Sequence, residues 1–87
     1  MNDNLEYVRA VKIIQDRKIR RESMNNLKRH RNWSGMSQSQ LAEASGVNLR
    51  MIQYYEQGAK DINKAEALTV WKLAQALKCD VGDLLEI

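Results

Sequence analysis

The chain has 87 residues and a mass of 10.1 kDa, enough for one small domain and too little for a two-domain enzyme, because independent cores are usually built from about 100 to 150 residues. With 44% hydrophobic and 29% charged residues the composition is that of a water-soluble globule, and no stretch approaches the roughly 20 apolar residues of a membrane span. One cysteine, Cys79, and one histidine, His30, exclude an internal disulfide and a Cys/His zinc cluster, and the net charge of +3 with a pI near 9.2 points toward acidic partners such as nucleic acid.

That charge is unevenly placed: nine Lys/Arg against four Asp/Glu give residues 1–31 a balance of +5, whereas five against seven give residues 32–87 a balance of −2. Proline and phenylalanine are absent and β-branched alternation is rare, while apolar spacings of three and four dominate, so the expected class is all-α. Residues 1–23 form the first segment. Leu5, Tyr7, Val8, Val11, Ile14 and Ile19 fall roughly on one face of a helix over 4–21, with the basic residues mostly elsewhere. Such a stripe needs a partner, either the rest of the domain or another chain. Met1 to Glu6 lacks the basic n-region and apolar stretch of a secretory signal, so a cytoplasmic location is expected.

Residues 24–87 form the domain proper. A helix is expected from Asn26 to about Asn32, anchored by Leu27. Ser37 and Gln40 have the spacing of a capping box for a helix from Gln38 to about Ser45, with Leu41, Ala42 and Ala44 as a small apolar face and Gly46 just past its end. Asn48 is a natural N-cap for Leu49 to Gln57, in which Ile52 and Tyr55 face inward with Val47, and Gly58 ends it. Asn63 with Glu66 marks a longer helix from Lys64 to Lys78, with Leu68, Trp71, Leu73, Ala74 and Leu77 inward. Asp80 caps a last short helix, Val81 to Glu86.

Two short helices joined by a tight glycine-containing turn over 37–57 constitute a helix-turn-helix, whose second helix can lie in the major groove. With Ile52 and Tyr55 inward, that helix presents Leu49, Arg50, Gln53 and Tyr54 on its far side, preceded by Asn48. Arg pairs bidentately with guanine, Gln or Asn with adenine, and apolar atoms touch the thymine methyl. Leu49 and Tyr54 equally suit packing against a neighbouring helix or subunit.

The run Leu27-Lys28-Arg29, then Gly35-Met36-Ser37-Gln38, Leu41-Ala42, Gly46-Val47, Ile52, Glu56 and Gly58, then Leu73-Ala74-Gln75-Ala76-Leu77 and Leu84-Leu85 resembles the Cro and phage-repressor (XRE, lambda-repressor-like) family of helix-turn-helix regulators. It covers about three quarters of the chain, residues 24–87. The resemblance implies five helices, here with an additional N-terminal helix. It implies a sequence-specific regulator of double-stranded DNA, a repressor acting as a homodimer, with base contacts at Asn48, Leu49, Arg50 and Tyr54; Gln53 joins them from helix geometry.

Gln38 matches the position at which the family clamps the DNA backbone, at a helix N-terminus suited to phosphate. Ser37 and Ser39 are placed to assist, with pure capping as the other reading of Ser37. Lys60, Asn63 and Lys64 suit the next phosphates or a merely solvated loop. Arg31 and Glu56 match positions where the family often has a partly buried ion pair, and Leu84, Leu85 and Ile87 lie where it makes dimer contacts, in rivalry with the stripe on residues 5–19. Two features depart from the family: no proline lies in the turn over 58–63, which is about three residues longer than usual, and the balance of −2 over residues 32–87 leaves DNA attraction to local placement, dimerisation or the basic N-terminal region.

No Ser/His/Asp set, paired-carboxylate site or phosphate-cradling glycine loop is present, so neither catalysis nor a cofactor is expected. Cys79 reads as a small core hydrophobe, His30 as half-exposed, and Trp33 as a lid on the core or a contact with a partner. Two other partner readings remain: an antitoxin bound to its toxin, and a protein-interaction adaptor that kept the fold and lost DNA contact.

Overall fold

A computed structural model describes residues 24–87 as five α-helices and one 3-10 turn, with no strand among the described residues. The helices are α1 (Asn26–Ser34), α2 (Gln38–Ser45), α3 (Leu49–Gln57), α4 (Ala67–Leu77) and α5 (Val81–Leu84), with the 3-10 turn at Ile62–Lys64. The helix expected over 4–21 lies outside the described residues.

Caps set the boundaries. Asn25 accepts the Lys28 backbone N–H at 3.0 Å and opens α1, which runs two residues beyond the expected end, so Trp33 belongs to its last turn. Ser37 and Gln40 form the reciprocal box: the Gln40 N–H donates to the Ser37 hydroxyl at 3.0 Å and the Ser37 N–H to the Gln40 side chain at 2.8 Å. Asn48 Oδ1 accepts from the Arg50 N–H at 2.7 Å. Gly46, at φ 78°, turns the chain between α2 and α3 in a left-handed conformation that a side chain would strain.

Five side chains, Leu27, Leu41, Ile52, Leu73 and Leu84, are fully buried, one from each helix, and Val47, Tyr55, Ile62, Val70, Ala74 and Leu77 close around them. Each such burial is worth about 1.5 to 3 kcal/mol. Helix α2 packs on both α3 and α4, while α5 bridges α4 and α1. Core formation therefore holds the two helices of the motif at a fixed mutual angle.

Four expectations need correction. Helix α4 starts at Ala67 rather than Lys64, because the side chain of Asn63 does not cap it: Asn63 Nδ2 donates to the Glu86 carbonyl at 2.9 Å and its Oδ1 accepts the Glu86 N–H at 2.8 Å. Glu66 takes the N-cap position without a side-chain cap bond. Leu68 and Trp71 are not inward but 57% and 51% exposed; Val70 takes the core position instead. Ala44 is exposed. The last helix stops at Leu84, which is fully buried in its own domain and so is withdrawn from any dimer contact, whereas Ile87 is exposed.

A clamp between distant segments, for which no local sequence signal exists, completes the domain. Asn26 Nδ2 donates to the Leu85 carbonyl at 2.7 Å, its N–H donates to the Glu86 carboxylate, and Asn25 Nδ2 donates to the Tyr55 carbonyl at 2.6 Å. Two asparagines thus tie the start of α1 to the end of α3 and to residues 85–86, and Asn63 ties the 3-10 turn to the same Glu86.

Candidate nucleic-acid interface

Helix α3 is anchored from within and open on its outer side. Ile52 and Tyr55 are buried, as is Glu56, while Arg50 and Asn48 are exposed and Leu49, Gln53 and Tyr54 are half-buried. The Asn48 side-chain oxygen Oδ1 is engaged by the N–H groups of Arg50 and Met51, which leaves its NH2 group as the part able to meet a base. Arg50 forms no side-chain hydrogen bond or ion pair with any described residue, so its guanidinium fork remains available to an acceptor pair.

Behind this face lies a partly buried polar network. Arg31 Nε donates to Glu56 Oε2 at 2.6 Å and Arg31 Nη2 to Oε1 at 3.0 Å, while Nη1 reaches the Met36 carbonyl at 2.9 Å. Gln38 Nε2 adds a third donor to the carboxylate at 2.9 Å. Both charged side chains are nearly sealed from water, at 11% and 2% exposure, and the bidentate geometry with three donors is what an ion pair needs to offset its desolvation. One carboxylate thereby joins α1, the turn after it, the start of α2 and the end of α3.

Gln38 is consequently not a free arm at the helix N-terminus: its amide nitrogen is held by Glu56, and its oxygen faces Gln53 Nε2 at 3.5 Å. The exposed groups at that end of α2 are Ser39 and Ser37, whose hydroxyl is occupied as the cap. Beyond α3, Lys60 and Lys64 are exposed on either side of Asp61, and a shallow pocket of about 180 Å³ lies between them and Tyr55. Asn63 is exposed, but both ends of its amide are committed to Glu86.

The remaining singled-out residues lie elsewhere. Trp33 is 71% exposed and meets His30 edge to face at 4.9 Å between ring centroids, so it is no lid on the core. Burial, with Asp83 and Asp80 nearby, raises the Cys79 thiol above its ordinary pKa. Among the described residues no group of His, Cys, Asp and Glu is arranged to hold a metal, and no helix is long and apolar enough to cross a membrane.

The helix-turn-helix family model matches residues 27–84, which contain all five helix cores just described. The chain belongs to the helix-turn-helix family, in its Cro and phage-repressor branch. A further helix-turn-helix relative is y4wC of Sinorhizobium fredii, an uncharacterized HTH-type transcriptional regulator, 35% identical over 60 residues. Those residues are 69% of this chain and 40% of the relative, so this helix-turn-helix chain spans less than half of the relative's length. No solved structure matches it.

Proposed function

We propose that this helix-turn-helix domain is a sequence-specific double-stranded DNA-binding transcriptional regulator, a repressor that acts in the cytoplasm as a homodimer. The observation that carries the reading is the division of α3: Ile52, Tyr55 and Glu56 are buried while Asn48 and Arg50 stand exposed beside Gln53 and Tyr54. A helix held in this way offers base-reading groups to the major groove. Asn48, Leu49, Arg50, Gln53 and Tyr54 are the proposed base-facing set. Ser37, Ser39, Lys60 and Lys64 are the proposed phosphate contacts, with Gln38 and Asn63 reaching phosphate only by giving up their present partners. The family membership and the regulator named among its relatives support the same reading. Two such domains related by a two-fold axis would read half-sites about 34 Å apart.

The test is a fluorescence-anisotropy titration of random duplexes against duplexes selected from a random pool. A preference for the selected duplex is expected, and Arg50→Ala should lose about 1 to 3 kcal/mol of it without changing the fold. Equal binding to both pools, with Arg50→Ala indistinguishable from wild type, would overturn the reading. It would favour a protein-interaction adaptor instead, a reading to which the exposed Trp33, Leu68 and Trp71 give some support, whereas an antitoxin would keep the DNA preference and be told apart by a toxin encoded in the neighbouring gene.

A further inference from the structure

Two amides stand on the outer side of α3, and the hydrogen bonds behind them leave each a different part to show. At Asn48 the N–H groups of Arg50 and Met51 hold Oδ1, so only donors remain. An amide reduced to its donors cannot grip adenine. That base sets the N7 acceptor beside the N6 donor, and a carboxamide reads it through oxygen and nitrogen together.

Gln53 is set the other way, and the cause lies beneath the surface. The Glu56 carboxylate is buried and ion-paired with Arg31, and such a group only accepts. The Gln38 amide therefore turns Nε2 to Glu56 Oε1, at 2.9 Å, and its own Oε1 away. An oxygen presented to Gln53 admits only a donor, so Gln53 turns Nε2 toward it, at 3.5 Å. Gln53 Oε1 and the second N–H of the amide have no partner among the described residues.

We infer that Gln53 is the adenine reader of α3 and that Gln38 is the positioning residue behind this preference, relaying the polarity of the buried carboxylate outward. The inference rests on the DNA-binding reading above and adds which base is read and why. A glutamine left unheld turns its amide over, and with NH2 outward it also satisfies guanine, whose N7 and O6 both accept. With one N–H spent on Gln38, Oε1 stays outward, where guanine O6 repels it and adenine N6 donates to it. Cytosine offers the N4 donor without an acceptor beside it, so it gains one bond where adenine gains two. Arg50, one helical turn earlier, has the donor fork that suits guanine. The half-site then holds a guanine met by Arg50 and, close to it, an adenine met by Gln53.

The test reads a ratio of affinities, which a partial loss of fold does not imitate. Full-length wild type, Gln53→Ala, Gln38→Met and Arg50→Ala are each titrated against the selected duplex and its single-base-pair variants. Wild type should require adenine at a position where Gln53→Ala accepts any base. Gln38→Met leaves the pair of Arg31 and Glu56 in place. It should lower the preference for adenine over guanine at that same position about five-fold or more, and keep the guanine preference that Arg50→Ala abolishes. Uniformly weaker binding by Gln38→Met with every ratio kept would make Gln38 a backbone contact or a packing residue and overturn the inference. So would base preferences in Gln53→Ala that match wild type. A measurement without DNA separates this inference from the reading beneath it. In nitrogen–proton correlation spectra of the free protein, the Gln53 side-chain NH2 should exchange with water several-fold more slowly in wild type than in Gln38→Met. Equal exchange overturns the relay whether or not the protein reads DNA. Slowed exchange in a wild type indifferent to sequence keeps the relay and refutes the adenine assignment together with the DNA-binding reading.

Discussion

Helices α3 and α4 both carry apolar residues three and four apart, yet only one of them shows its buried face in its sequence. In α3 the apolar Ile52 and Tyr55 alternate with Arg50, Gln53 and Gln57, so polar neighbours define the outside as sharply as apolar ones define the inside. In α4 apolar residues occupy positions 67, 68, 70, 71, 73, 74, 76 and 77 and surround the helix. Spacing then admits two overlapping faces, one through Val70, Leu73 and Leu77 and another through Leu68 and Trp71. The former is buried. Amphipathic contrast, not apolar content, is what tells a reader which way a helix faces.

The comparison can be broken most severely at Glu56, the one buried charge on α3. Glu56→Ala strands the Arg31 guanidinium and should cost about 3 to 5 kcal/mol in urea unfolding, enough to unfold much of a domain this small; an unaltered midpoint would mean that the network contributes nothing. Within α4 the two faces should separate cleanly. Leu73→Ala is expected to lose about 2 to 5 kcal/mol, whereas Leu68→Ala should stay within about 0.5 kcal/mol, as surface changes do. Equal losses would restore the face rejected above.

The turn that sets α3 against α2 offers a smaller effect. Gly46→Ala meets no neighbouring atom within 4 Å but must hold φ near 78°, so a loss of about 1 kcal/mol is expected from backbone strain alone. The smallest effect belongs to Cys79 at the end of α4. Its pKa is raised in the folded state by burial and by Asp83 and Asp80. The native domain then keeps the proton longer than the unfolded chain, so stability is undiminished below the unfolded thiol pKa and declines as pH rises through the folded one. Cys79→Ser should flatten that alkaline slope in thermal melts recorded from neutral to alkaline pH.

Much of α1 to α3 was legible because its signals are local: Ser37 with Gln40, Asn48 before Leu49, and glycine after each helix act within four residues of the boundary they set. The start of α4 was not, because Asn63 carries the same signature and uses it on Glu86, 23 residues away. Nothing in a linear pattern distinguishes an asparagine that caps from one that binds a remote strand of chain. The same holds at the proposed interface. Residue types revealed which side of α3 is open, whereas the bond from Gln38 to Glu56 depends on how α2 and α3 cross, and that angle is a product of the whole core. Asn25 and Asn26 escaped notice for the same reason: their partners at Tyr55, Leu85 and Glu86 lie 30 to 60 positions away.

The asparagine clamp has an architectural consequence. By fastening Asn26 to Leu85 and Glu86 it brings the two extremities of the folded unit side by side. A circular permutant should therefore be readily made, with Ile87 joined to Asn25 through a spacer of about four residues and the backbone reopened at the exposed Ala59–Lys60 bond. In a longer regulator built on the same plan, a sensory module could be inserted at this seam without displacing any helix that faces the duplex.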